Sequence, residues 1–233
     1  MPNSRSICLI ATLFFCLFAA SIQAEETPLV KRVDRPESIL FVGNSFTFYN
    51  NAIYTHLRKL LVAENPSNRR AIFLKSMTIS GAVLADHRGG LAQMLESREW
   101  DVVVLQGHSR EATDGEMVAG FARAAGEFTR DIRRHGAEPV LFMTWAYSDA
   151  PGMIAGLSHA FTRIGNELQV MVIPVGLAFQ RALDQVPGVT LHDPDKIHPS
   201  LAGTYLAAAV FYAALFGESP AKLEYTAGLD DVK

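Results

Sequence analysis

Three residues of this sequence have the types and settings that nucleophilic catalysis needs: Ser45, Asp195 and His198. Ser45 ends the run Ile39-Leu40-Phe41-Val42-Gly43-Asn44-Ser45, an apolar strand pattern that breaks on Gly-Asn just before the serine. A serine hydroxyl is a weak nucleophile until a base takes its proton, and an imidazole oriented by a carboxylate is such a base. In Asp193-Pro194-Asp195-Lys196-Ile197-His198-Pro199-Ser200, Asp195 precedes His198 by three residues. A local turn at that spacing can bring the carboxylate to the imidazole Nδ1–H and leave Nε2 free to accept a proton. His192 and Asp193 are near enough to compete for these roles, but Pro194 holds Asp193 in an extended conformation that need not face the ring. Taken alone, a serine after a strand is more often a cap or turn residue. The two segments together point to chemistry.

The elements that must position these residues can be read from hydrophobic spacing. A helical pattern at Ile53, Leu57, Leu60 and Leu61 follows the serine, which places Ser45 in a strand-to-helix connection at the carboxyl end of a strand. Backbone N–H groups in such a connection can stabilise an oxyanion. A second strand over 71–79 ends on Ser80-Gly81, and Leu84, Leu91, Met94 and Leu95 form a helical stripe interrupted at Gly89-Gly90. Val102-Val103-Val104-Leu105 is a third strand, running into Gln106-Gly107-His108-Ser109. Helical spacing returns between Gly115 and His135, a fourth strand spans 139–143, and Trp145 and Tyr147 follow it on the edge where Ser45 sits. Leu157, Phe161, Ile164 and Leu168 mark another helix, 170–173 a fifth strand, and 201–216 a long apolar helix preceded by Pro199, which suits a first helical turn. Five strands separated by helices indicate a doubly wound parallel sheet covered on both faces.

Gly43-Asn44-Ser45 after a strand, Ser80-Gly81 after the next, and Asp195-x-x-His198-Pro199 near the end resemble the SGNH/GDSL hydrolase superfamily over residues 38–216. The resemblance implies a flavodoxin-like three-layer α/β/α sandwich with strand order 2-1-3-4-5. It also implies a catalytic triad of Ser45, Asp195 and His198, with an oxyanion hole built from the N–H groups of Ser45 and Gly81. The family's third donor is an asparagine side chain, for which this chain has no counterpart. Gln106-Gly107 is similar to the Gln-Gly-Glu-Ser block of sialate and xylan acetylesterase-like branches, which points to the Gln106 amide, with Ser109 and His108 as rivals. Asn44, Trp145 and Tyr147 are candidates to line the substrate, although large residues here can equally pack against loops.

The chain has 233 residues, 49% of them hydrophobic and 19% charged, enough for one domain with a sizeable core. Residues 7–20 are almost wholly apolar, Arg5 precedes them, and Ala24 stands before Glu25-Glu26. This reads as a secretory signal peptide spanning 1–24, short of the ~20 apolar residues of a membrane span; an uncleaved anchor is the alternative. Both cysteines, Cys8 and Cys16, lie within it, so the expected product is an exported, periplasmic or secreted protein without disulfides. Residues 25–37 read as a solvated lead-in, and 38–233 as the hydrolase-like domain. The net charge of −3, with no basic block, gives no reason to expect nucleic acid as a partner. The seven histidines lack metal-ligand spacing, and no metal or cofactor is implied.

The function expected from these readings is cleavage of carboxylic esters through an acyl-enzyme on Ser45, with O-acetyl groups on carbohydrate as the substrate and lipid or other short-chain esters next. Transfer of the acyl group to an exported polysaccharide uses the same nucleophile and differs only in excluding water. A non-catalytic glycan-binding module is the third reading, and the complete Ser45, Asp195 and His198 set stands against it.

Overall fold

The computed structural model describes residues 27–29, 31–33 and 35–229. The expected signal peptide, with Cys8 and Cys16, lies outside them. Five parallel strands form one sheet in the order β2-β1-β3-β4-β5: β1 Ser38–Gly43, β2 Phe73–Thr78, β3 Val102–Leu105, β4 Glu138–Phe142 and β5 Met171–Ile173. This is the order that the family resemblance implies.

Because side chains alternate across a strand, the central strands feed two separate cores. Ile39, Phe41, Val102, Val104, Val140 and Phe142 face α2 (Ile53–Glu64), α7 (Val175–Gln185) and α8 (Leu201–Phe216). Leu40, Val42, Val103, Leu105 and Leu141 face α4 (Arg88–Ser97), α5 (Val118–Arg134) and α6 (Met153–Leu168). Burial on both sides is why these strands read as continuous apolar runs. The sheet begins where Asp101 Oδ2 accepts the N–H groups of Glu37 and Ser38 at 2.7 and 2.8 Å, tying the start of β1 to that of β3.

Four local expectations are adjusted. The serine does not run into the long first helix; it opens a separate single turn, α1 (Ser45–Phe48), and α2 starts only at Ile53. The second strand, expected over 71–79, is shorter, Phe73–Thr78, because Ala71 closes the short helix α3 (Asn68–Ala71). Helix α4 passes through Gly89-Gly90 without breaking, and a side chain at Gly90 would collide with the Met77 sulfur. The lead-in is pinned where it is described: Lys31 pairs with Glu138, and Arg35 reaches both Glu64 and Glu218 at 2.8 Å. No helix among the described residues is long and apolar enough to cross a membrane.

Candidate active site

The site lies at the carboxyl ends of β1, β2, β3 and β4. Asn44 caps α1 by accepting the Phe46 N–H on its side chain at 3.2 Å, so Ser45 is the first residue of the turn and its N–H has no intrahelical partner. From the far end of the chain, Ser200 caps α8 by accepting the Gly203 N–H at 3.1 Å. Pro199 therefore lies one residue outside the cap rather than in the first turn.

Ahead of that cap the loop folds on Asp195. One carboxylate oxygen accepts the N–H groups of Ile197 and His198, both at 2.9 Å, and the other accepts the His198 Nδ1–H at 2.6 Å. Lys196, with φ 70°, supplies the left-handed residue that lets the turn close. Burial pushes the Asp195 carboxyl up, but the bonds from the His198 ring and the two amides outweigh it and hold the group down at about 2. With Nδ1 protonated, His198 Nε2 accepts from the Ser45 hydroxyl at 2.9 Å. Asp193 has no such contact; its backbone N–H and C=O bond His198 and Lys196 instead. The structure thus brings Ser45, His198 and Asp195 together and leaves Asp193 and His192 aside.

Gly81 lies on the exposed loop after β2 with φ 68°, a left-handed conformation that favours glycine. Among the described residues its N–H has no hydrogen-bond partner. It is therefore an available donor at the strand end next to Ser45.

Gln106 is not available. It is fully buried, and its side-chain oxygen accepts the Asn44 N–H and the Thr47 hydroxyl, both at 2.9 Å. Its amide nitrogen donates to Asn44 Oδ1 at 2.8 Å and to the Gly107 carbonyl. Its backbone N–H donates to Val42 at the end of β1, which sets the side chain beneath Asn44. A buried amide must pair where it lies, and here every partner is internal. The expectation that the Gln106 amide points at the reacting centre is therefore corrected.

Asn44 is corrected for the same reason: it is buried, and its amide donates to the carbonyls of Ala82 and Gly107 at 3.1 and 3.3 Å, joining three strand-end loops rather than lining the substrate. Gly43 leaves room for this network, since a Cβ there would strike Gln106 and Thr47. Trp145 is corrected too. It is fully buried between Phe46 and Phe179, with ring centroids 4.4 Å apart on each side, and its indole N–H donates to the Ile197 carbonyl at 3.1 Å. It lies under the site and braces the histidine loop. Tyr147 is half-exposed, and its hydroxyl pairs with the buried Ser109 hydroxyl at 2.6 Å across two loops. His108 is half-exposed. Its Nδ1 takes the Arg110 N–H at 3.4 Å, and burial, then Arg110, lowers its pKa, so Nε2–H is the free donor of a neutral ring.

Glu111 was not singled out in the sequence. It is buried, accepts the Leu84 N–H at 2.9 Å and the His108 N–H at 2.8 Å, and so ties the Gly81 loop to the loop after β3. Burial raises its pKa, and the two amides oppose that rise. A lone acidic residue between Arg110 and Ala112 carries no signal that it turns inward. Among the described residues no group of histidine, cysteine and carboxylate side chains forms a metal site.

No protein-family model matches the chain, and no curated protein matches it. Solved structures do. A protein from Slackia heliotrinireducens, provisionally described as an SGNH hydrolase, is 25% identical, with a TM-score of 0.63 over 79% of this chain and 99% of that one. A DUF4886 family protein from Bacteroides uniformis is 19% identical, with a TM-score of 0.67 over 87% and 89%. A catalytic mutant of an acetylxylan esterase from Geobacillus stearothermophilus is 16% identical, with a TM-score of 0.63 over 79% and 96%. The last two likenesses concern the fold.

Proposed function

We propose, for a chain that is by fold and site geometry a serine ester hydrolase of the SGNH/GDSL type, that it is exported and removes O-acetyl groups from carbohydrate through an acyl-enzyme on Ser45. The observation that carries the chemistry is the continuous bond series Ser45 to His198 to Asp195, at 2.9 and 2.6 Å. His198 Nε2 takes the hydroxyl proton as Ser45 Oγ attacks the ester carbonyl, and the carbonyl oxygen becomes an oxyanion. The N–H groups of Ser45 and Gly81 receive that charge, each donor being worth roughly 3 kcal/mol of barrier. Collapse of the intermediate expels the alcohol, which takes the proton from His198. Water then attacks the acyl-enzyme as His198 takes its proton; the second tetrahedral intermediate breaks its bond to Ser45 Oγ, releasing the acid, and His198 returns the proton to Oγ.

With Gln106 turned inward, Ser109, His108 or water is left as the third donor. The Tyr147 hydroxyl can donate to Ser109 and leave the serine proton free for the oxyanion, while His108 offers its Nε2–H. Comparing kcat in Ser109→Ala and His108→Ala separates the two: the true donor costs about 10²-fold with KM little changed.

The acetyl-carbohydrate reading draws on the Gln106-Gly107 block and on the acetylxylan esterase among the fold relatives. Export draws on the apolar run before Ala24. The test is release of acetate from acetylated xylo-oligosaccharides, set against aryl acetate, butyrate and octanoate esters, with fluorophosphonate labelling of Ser45 alongside. Labelling without acetate release from any sugar overturns the substrate, and acetyl appearing on an added acceptor sugar assigns transfer. Intact mass of the secreted protein locates the cleavage site, expected before Glu25.

A further inference from the structure

Between the turn that carries Ser45 and helix α2, the backbone takes a path that residues with side chains seldom take. Asn50, Asn51 and Ala52 have φ of 47, 72 and 69° in succession. Ala52, with ψ 142°, lies where glycine is the usual occupant. Such conformations persist where their surroundings over-determine them, and they gather at functional sites.

The surroundings here form one bonded series. The Asn50 side-chain amide donates to the Pro199 carbonyl at 2.7 Å and to the Thr204 hydroxyl at 3.0 Å. The Asn50 carbonyl accepts from buried His56 Nε2–H at 2.8 Å, and His56 Nδ1 accepts the Tyr225 hydroxyl at 2.7 Å. The Tyr205 hydroxyl, in turn, donates to the Tyr225 carbonyl at 2.9 Å. Burial lowers the His56 pKa, consistent with the neutral ring that one donated and one accepted bond require. At the start of the same segment, the Tyr49 ring lies on the His198 imidazole, 4.2 Å between centroids and 10° from parallel. The segment thus meets the histidine loop twice, on the face of the ring and at the residue that follows it.

We propose that Asn50 is a positioning residue for His198, with Tyr49 as the surface against which the imidazole rests and His56 and Tyr225 as the support that keeps the strained segment in place. The proposal rests on the reading of Ser45 and His198 as nucleophile and base. Asp195 fixes the Nδ1 edge of the ring, and Tyr49 restrains its tilt. Tyr225, remote in sequence from both reacting residues, thereby acts on the rate.

The test uses the full chain, an aryl acetate substrate, the rate of Ser45 labelling by a fluorophosphonate, and the downfield proton resonance of the imidazole N–H shared with Asp195. Asn50→Gly accepts the left-handed backbone but cannot donate to Pro199. It should lower kcat and the labelling rate together by about 10-fold or more, with KM within about twofold, as expected when a reacting group is misplaced by a fraction of an ångström. The downfield resonance should broaden. Tyr225→Phe should act in the same direction by a smaller factor, and it serves if Asn50→Gly does not fold. Tyr49→Phe, which keeps the stack, should recover most of the rate that Tyr49→Leu loses. Unchanged kcat and labelling in Asn50→Gly and Tyr225→Phe overturns the proposal, as does a raised KM with kcat intact, which would make the segment a substrate contact. Failure of the underlying reading looks different: wild-type protein would show no labelling at Ser45.

Discussion

Gln106 and Asn44, the residue before Ser45, hold each other by two reciprocal bonds, side-chain amide to Asn44 Oδ1 at 2.8 Å and Asn44 N–H to Gln106 Oε1 at 2.9 Å. Gln106→Ala leaves Asn44 and Thr47 with unpaired buried groups beside a cavity. It should cost about 2–4 kcal/mol in urea unfolding. A fall in kcat without loss of stability would return Gln106 to the oxyanion hole.

Ser45→Ala and His198→Ala should each lower ester hydrolysis by orders of magnitude while the fold is kept. The double variant should be hardly worse than either, because residues that act as a unit do not contribute additively. Independent, multiplying losses in kcat would separate the two residues into different roles.

Trp145→Phe keeps a ring between Phe46 and Phe179 but removes the bond to Ile197 and part of the ring volume, so it should cost about 1–3 kcal/mol of stability. Trp145→Ala removes the stack and should cost about 3–5 kcal/mol. Neither should raise KM for acetyl esters, since the indole does not reach the crevice. A selective rise in KM would place Trp145 in the substrate wall after all.

Asp195 titrates at about 2 in the folded protein, against an ordinary value of 3.8. A depressed folded value means a stabilising contribution present above the unfolded pKa and lost as the pH falls between about 4 and 2. Carboxyl carbon NMR should show the low midpoint, moving up towards the ordinary value in His198→Ala. Protonation of Asp195 should therefore affect activity only below about pH 4.

The strands, their two-sided burial and the Asp195-x-x-His198 turn were legible because each depends on spacing within a few residues. The pairing of Asp195 rather than Asp193 was legible for the same reason. The direction of the Gln106 amide was not, because a strand-end glutamine serves equally well facing the crevice or the loops behind it, and the neighbour that decides is Asn44, 62 residues away. Trp145 reads identically as a sugar platform or as core; the partners that bury it, Phe46 and Phe179, come from distant segments. Asn50 to Ala52 contain no glycine, so nothing in their composition announces three left-handed residues. Glu111 and His56 are polar residues whose buried partners are backbone groups or a distant tyrosine, and such partners leave no pattern in the sequence.

The 153 residues that separate Ser45 from His198 give the protein a built-in order of events. A chain made from its N-terminus acquires Ser45 well before His198, and the loop that holds the imidazole runs directly into the Ser200 cap of α8. On the proposed reading, a nascent chain that has not reached His198 carries a Ser45 hydroxyl with no base beside it. A covalent serine probe applied to truncated chains would then date the moment at which α8 seats.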